Sequence, residues 1–268
     1  VIIGFNIGNT STTAGFYPDD SIVPELTHRY STIKDIDPDC LTRRVFEGLP
    51  RASFTKGAVG VRGIVYSSVV PELNRVYDEM SEKTFGVRAY GITCESRLNF
   101  TIAYRDPREL GVDRIVNAAA AFHEYGGGDI VVDIGTAVTF CVLLEEGVFD
   151  GGVIAPGIDT AIQSLSQRTS RLPEVPFEKP DRVAARDTVN ALKSGFFYGW
   201  ISLAEGIIRR IEEEYGRGFR IILTGGYAPA VADHLSYEHV VDPLLSMKGI
   251  KLIYDMNARG GLGDRIKE

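Results

Sequence analysis

Apolar residues at the start of the chain fall into two short runs, Val1 to Phe5 and Thr12 to Tyr17, separated by the polar turn Ile7-Gly8-Asn9-Thr10. Runs of this length, bounded by glycine and small polar residues, predict two strands of an opening hairpin. Ala58 to Val70, rich in glycine and valine, reads as a further strand ending in Ser67-Ser68-Val69-Val70-Pro71. Proline suits the first turn of a helix, where its missing N–H is not needed, so a helix is expected from about Pro71 to Phe85. Val87 to Ile92 then returns to the sheet. From Asp113 to Tyr125 the apolar Ile115, Val116, Ala119, Ala120 and Phe122 recur at helical spacing, and Gly126-Gly127-Gly128 ends that helix.

The next stretch repeats the opening. Asn6-Ile7-Gly8-Asn9-Thr10 and Asp133-Ile134-Gly135-Thr136-Ala137 each follow an apolar run and lead into another, so they read as corresponding hairpins of two related domains. A helix from about Val189 to Tyr215, a strand from Arg220 to Leu223, the turn Thr224-Gly225-Gly226 and a last strand near Lys251 to Tyr254 make the second half α/β as well. The expected division is residues 1–116 and 117–268.

With 29 Lys and Arg against 36 Asp and Glu, the net charge is −7, and 44% of residues are apolar. That describes a globular chain able to bury a core without disulfides. It argues against nucleic acid as a partner, because binding a phosphate backbone needs clustered cations. Cys40, Cys94 and Cys141 form no CxxC pair and read as thiols of a reducing cytoplasm. No apolar run approaches the ~20 residues of a membrane span.

A glycine in a turn between strands lets backbone N–H groups approach an anion closely, and neighbouring hydroxyls add hydrogen bonds. Gly8, Asn9, Thr10, Ser11 and Thr12 supply that mixture, and Gly135, Thr136 and Thr139 supply it again. One hairpin from each half suggests a cleft between domains that grips a polyphosphate from both sides. There is neither a G-x-x-x-x-G-K-[ST] loop nor a G-x-G-x-x-G after a strand, so P-loop and Rossmann chemistries are disfavoured. Taken singly, Asp113 reads as a helix cap or as a proton acceptor at a helix start. Arg114 reads as a surface ion pair or a fork for a carboxylate or phosphate, Tyr104 as an aromatic at the core edge, and Thr188 as a helix N-cap.

In chain order, Ile7-Gly8-Asn9-Thr10, Ser67-Ser68-Val69-Val70-Pro71, Gly111-Val112-Asp113-Arg114-Ile115-Val116-Asn117-Ala118, Asp133-Ile134-Gly135-Thr136-Ala137 and Gly151-Gly152-Val153-Ile154-Ala155-Pro156-Gly157 resemble segments of the type III pantothenate kinases. Asp187-Thr188-Val189-Asn190-Ala191, Thr224-Gly225-Gly226 and Asp242-Pro243-Leu244-Leu245 extend the resemblance over nearly the whole chain. It implies two ribonuclease-H-like domains with an interdomain nucleotide cleft, a homodimer, and transfer of a phosphoryl group from ATP to the primary hydroxyl of pantothenate at the start of coenzyme A synthesis. Mg²⁺ and a monovalent cation, K⁺ or NH₄⁺, are the implied cofactors.

By the same resemblance Asp113 is the catalytic base, and Tyr104, Gly111, Val112, Asp113, Arg114 and Thr188 hold pantothenate. Asn6, Ile7, Gly8, Asn9, Thr10, Ser11, Thr12 and Thr13, with Thr136, Gly225 and Gly226, meet ATP, and Asp133 is the monovalent-cation ligand. Two positions depart from the family pattern. Asn6 stands where these kinases carry Asp, so the shape is kept and a charge beside the phosphates is removed. Cys141 stands where another Asp is common, and it reads as a small buried hydrophobe. Loss of catalysis through these two changes would leave a nucleotide- or pantothenate-binding regulator, and the fold also hosts kinases of other alcohols. The run Phe196-Phe197-Tyr198-Gly199-Trp200 is either a dimer-interface stripe or core.

Overall fold

The computed structural model describes residues 1–47 and 60–258. The chain divides into two units, Val1–Glu124 with the chain from Leu244, and Tyr125–Pro243. The expected division at 116/117 therefore differs at both ends: the helix bearing Asp113 stays with the first unit, and the C-terminal segment returns to it.

In the first unit, β1 (Ile2–Ile7) turns into β2 (Ser11–Tyr17), followed by β3 (Leu26–Ser31), α1 (Pro38–Val45), β4 (Gly63–Ser68), α2 (Pro71–Phe85) and β5 (Ala89–Gly91). The sheet order is β3-β2-β1-β4-β5, with both hairpin pairs antiparallel and β1-β4 and β4-β5 parallel. Alternation sends Ile3, Phe5 and Ile7 to one face, where they pack with Ile64 and Tyr66 against Leu41 and Val45 of α1 and Leu73, Tyr77 and Met80 of α2. The short strand β6 (Thr101–Ile102) precedes a 3₁₀ turn (Pro107–Glu109) and α3 (Val112–Tyr125). The helix α2 starts at Pro71 and ends on Gly86 at φ 72°, as the proline and glycine signals predict. Of the strand expected from Ala58, residues 58 and 59 lie outside the described residues.

The second unit repeats this design. β7 (Asp129–Ile134), β8 (Ala137–Leu143) and β9 (Val148–Pro156) form an antiparallel meander, followed by α4 (Ile158–Arg168), α5 (Thr188–Tyr215), β10 (Arg220–Thr224), α6 (Ala228–Ala232) and β11 (His239–Val241). The order β11-β10-β7-β8-β9, with β7-β10 and β10-β11 parallel, is the first sheet's order read from its other edge. Ile130, Val132, Ile134, Phe140 and Leu223 pack against the long helix α5. Phe197 and Trp200 of α5 belong to this core, with Phe196 and Tyr198 packed partly buried against it. Cys141 is buried, as expected of a small hydrophobe.

The last expected strand is a correction: Lys251 to Tyr254 lies inside the helix α7 (Leu245–Ala258). Four apolar-rich residues carry no usable period. Over the full helix, Leu245, Met247, Ile250 and Ile253 form the buried stripe. It packs on β1 and β4, across the sheet from α1 and α2. Tyr17 Oη anchors it by donating to the Met247 carbonyl at 2.7 Å.

Candidate functional site

In the first unit the turn between β1 and β2 is closed by Gly8 N–H donating to the Ser11 carbonyl at 3.1 Å. Thr32, just past β3, braces it. Its hydroxyl donates to the Gly8 carbonyl at 2.7 Å, its N–H donates to the Thr10 carbonyl at 3.0 Å, and its Oγ1 lies 3.0 Å from Thr12 Oγ1. Arg29 on β3 donates from Nε to Ser11 Oγ at 3.1 Å. Neither Thr32 nor Arg29 is signalled by the sequence, because each reaches the turn only through the pairing of β2 with β3. Ile7 and Thr12 point into the unit, whereas Asn9 and Thr10 are exposed at the tip.

At the end of β1, Asn6 is half-buried and pairs in register with Thr13 on β2 and Ser67 on β4, so the three side chains form one polar row on a face of the sheet. The second unit carries the matching row: Asp133 pairs with Thr139 on β8 and Thr224 on β10. Its turn is closed by Gly135 N–H to the Ala137 carbonyl at 3.0 Å, and the exposed Thr136 accepts at its carbonyl from Gly157 N–H at 3.0 Å and from Thr160 Oγ1 at 2.8 Å.

Gly225 sits at φ 90°, and a Cβ there would collide with Asp133 Oδ1 and the Ile134 backbone. The glycine is thus required by Asp133 itself, a close approach the sequence does not disclose. After the exposed Gly226, Tyr227 lines a 490 Å³ cavity with Ile162, Val175, Pro176 and Phe177, and the Phe177 and Tyr227 rings meet edge to face at 5.6 Å. Asp159 and Glu174 are its acidic members, and Asp159 hydrogen-bonds the Tyr227 hydroxyl.

The Asp113 group belongs wholly to the first unit. Gly111 opens α3 by accepting at its carbonyl from the N–H groups of Arg114 at 3.0 Å and Ile115 at 3.2 Å. Asp113 follows Val112, the first helical residue, and its Oδ1 accepts from Arg114 N–H at 2.9 Å. Burial pushes its carboxyl above the ordinary value of 3.8, against the opposing pull of the Arg114 N–H and charge. Arg114 is 4% exposed, with its guanidinium 5.5 Å from the centre of the half-buried Tyr104 ring. A surface ion pair is thereby excluded for Arg114, and Tyr104 has a specific cationic neighbour. Between them Arg108 clasps Asp106 through two hydrogen bonds of 2.9 Å, beside a 780 Å³ cavity that Arg105 and Arg108 also line.

Thr188 is exposed in the first turn of α5 and is not its cap. That role belongs to Asp187, whose Oδ1 accepts from Asn190 N–H at 3.0 Å. The expected residues are thus gathered into two groups in the first unit, the Asn6–Thr13 turn and the Tyr104–Arg114 segment. In the second unit Asp133, Thr136, Gly225 and Gly226 cluster around the end of β7, and Thr188 stands at the start of α5.

Two sheets built on one order, each with a short polar turn after the strand that opens it, give the two-domain ribonuclease-H-like fold. Solved structures agree. A protein described as a conserved Baf family transcriptional activator from Campylobacter jejuni superimposes with a TM-score of 0.58 at 21% identity, covering 96% of this chain and 99% of that one. A protein assigned as a 2-dehydro-3-deoxygalactonokinase from Sinorhizobium meliloti gives 0.52 at 11% identity, covering 98% and 100%. Residues 2–210 match the family model of the type III pantothenate kinases. A type III pantothenate kinase of Brevibacillus brevis is 40% identical over 260 residues, 96% of this chain and 99% of that protein. The chain belongs to the type III pantothenate kinase family. It is therefore a transferase that phosphorylates pantothenate with ATP on the way to coenzyme A, and a divalent metal accompanies the nucleotide.

Among the described residues no three His, Cys, Asp or Glu side chains converge on a metal cage. Mg²⁺ needs none, since it takes one or two protein oxygens and completes its shell with water and phosphate. Asp133 near the end of β7 offers an oxygen donor of that kind, and the matching place near the end of β1 holds the neutral carboxamide of Asn6. No helix among the described residues is long and apolar enough to cross a membrane.

Proposed function

We propose that Asp113 is the general base of the kinase reaction and that Arg114 and Tyr104 orient pantothenate, with Gly111, Val112 and Thr188 completing its site. The pantothenate hydroxyl oxygen attacks the γ-phosphorus of ATP. A new P–O bond forms, the bond to the ADP oxygen breaks, and the hydroxyl proton passes to the Asp113 carboxylate. The reading is carried by one observation: a carboxylate pushed up by burial, yet held at a helix start beside a buried arginine. Both features suit a base. The raised affinity for a proton increases its basicity, and the Arg114 N–H fixes the orientation of Oδ1.

The turn Gly8 to Ser11 and the segment Gly135–Thr136 are the two hairpins that would hold the phosphates, and the cavity lined by Phe177 and Tyr227 offers aromatic surface for the base. Asp133 would hold the monovalent cation, K⁺ or NH₄⁺, and Mg²⁺ would be held by phosphate oxygens and water, bound cations neutralising charge on the phosphoryl oxygens. The protein acts in the cytoplasm as a homodimer in this reading. Asn6 in place of a carboxylate supports a second possibility, a regulator that binds nucleotide with little turnover. The deciding experiment is formation of phosphopantothenate with ATP, Mg²⁺ and K⁺ by the chain as it stands and by Asp113→Asn. An Asp113-dependent rate supports the kinase reading, and nucleotide binding with no rate above background supports the regulator.

A further inference from the structure

Ser67 and Ser68 end β4 side by side, but their hydroxyls have different fates. Ser68 Oγ is engaged locally, donating to the Val70 carbonyl at 3.2 Å and accepting from Val70 N–H at 3.1 Å. Ser67 is fully buried, and among the described residues its Oγ has no hydrogen-bond partner. A buried hydroxyl in that state costs stability, so its presence needs a reason outside the fold of the free chain. The register supplies a candidate partner. Ser67 lies directly beside Asn6 on the same face of the sheet, and Thr13 flanks Asn6 on the other side.

A carboxamide has an acceptor end and a donor end, whereas a carboxylate has acceptors only. The free chain makes no such bond, but once nucleotide binds, donation from the Ser67 hydroxyl to Asn6 Oδ1 would leave the Asn6 amide presenting its N–H₂ end outward. We infer that Ser67 is a positioning residue for Asn6. It fixes the amide so that Nδ2 donates directly to an oxygen of the nucleotide phosphates, with no cation between them. The inference rests on the reading that the end of β1 meets nucleotide phosphates. It gives Asn6 a role that Asp could not fill, because a carboxylate at that place repels phosphate unless a cation intervenes.

The test is titration of ADP by calorimetry, in EDTA and in Mg²⁺, for the chain as it stands, Ser67→Ala, Ser68→Ala and Asn6→Asp. Ser67→Ala is expected to weaken cation-free ADP binding by about tenfold, the effect of losing one orienting hydrogen bond to a charged ligand's partner. Its ligand-free melting temperature should not fall, because the deleted hydroxyl bonds nothing in the free chain. Ser68→Ala should lower the melting temperature and leave ADP binding alone, and Asn6→Asp should lose cation-free binding while keeping binding with Mg²⁺. An ADP affinity within twofold of the parent in Ser67→Ala overturns the inference, as does a lower melting temperature with unchanged affinity. A loss seen only with Mg²⁺ overturns the direct contact, since the amide would then meet cation-bound water. Binding of no ADP by any variant in either buffer overturns the nucleotide reading and this inference with it. A missing Asp113-dependent rate with ADP binding intact sinks only the kinase reading.

Discussion

Asn6 and Asp133 hold one and the same position in two strands of the same design. Each is the fifth residue of its sheet's central strand, half-buried between buried neighbours, in register with a threonine across a hairpin and with a hydroxyl-bearing residue on the parallel strand. The repeat has therefore preserved the backbone and altered the charge. Since phosphoryl transfer depends on preorganised electrostatics, Asn6→Asp is expected to raise turnover by about 10²–10³-fold at saturating Mg²⁺ and ATP, the worth of one such contact. The assay is ATP-dependent formation of phosphopantothenate. A kcat within twofold of the parent would show that the carboxamide is not what limits the reaction.

As the proposed base, Asp113 would couple stability to activity. Burial raises its carboxyl above 3.8, so the folded protein holds this proton more tightly than the unfolded chain does. Its contribution to stability is then full below pH 3.8 and is lost as pH rises through the raised folded value. Asn does not titrate. Asp113→Asn should therefore abolish phosphorylation while melting higher than the parent at neutral pH, with the difference closing in acid. In the parent, the rising limb of kcat against pH should lie above the ordinary carboxylate range. Equal melting temperatures across the range would remove the burial penalty from the account.

The repeat that relates the two units was legible because strand-Gly-turn-strand is a local signal: Ile7-Gly8 and Ile134-Gly135 announce their hairpins without help from the rest of the chain. Pro71 and the glycines after Tyr125 fixed helix ends for the same reason, being constraints on single residues. What could not be read depends on distant partners. Thr32 braces the Gly8 turn only because β3 pairs beside β2, and Gly225 is glycine because Asp133 lies against it. Arg114 looks like any surface cation until the fold buries it near Tyr104. The misread strand at Lys251 had the opposite problem, since a short apolar window fits either period.

Gly225→Ala tests how tightly the end of β7 is built. Alanine at φ 90° carries a backbone cost of about 1–2 kcal/mol, and its Cβ would also push on Asp133 Oδ1. A loss of at least about 1–2 kcal/mol in urea unfolding is expected. If Asp133 holds a monovalent cation, as proposed, its displacement should also weaken the dependence of turnover on K⁺. A variant of parental stability with unaltered K⁺ dependence would mean that Asp133 does not set the cation site.

Gly249→Ala probes the return of the chain to the first unit. A Cβ at 249 would overlap the Val116 carbonyl oxygen, so α7 and α3 cross in backbone contact there, and no flexible side chain can yield. The cost should reach about 3 kcal/mol, the upper range of overpacking in a rigid core. The chain's single tryptophan, Trp200, lies in the core of the second unit and reports on that unit alone. Damage confined to the first unit should then split the transition: circular dichroism would record an early loss of structure while Trp200 fluorescence changes at a higher urea concentration. Coincident transitions, both shifted equally, would mean that the second unit cannot stand once α7 is lost. A parental midpoint by both probes would contradict the helix crossing itself.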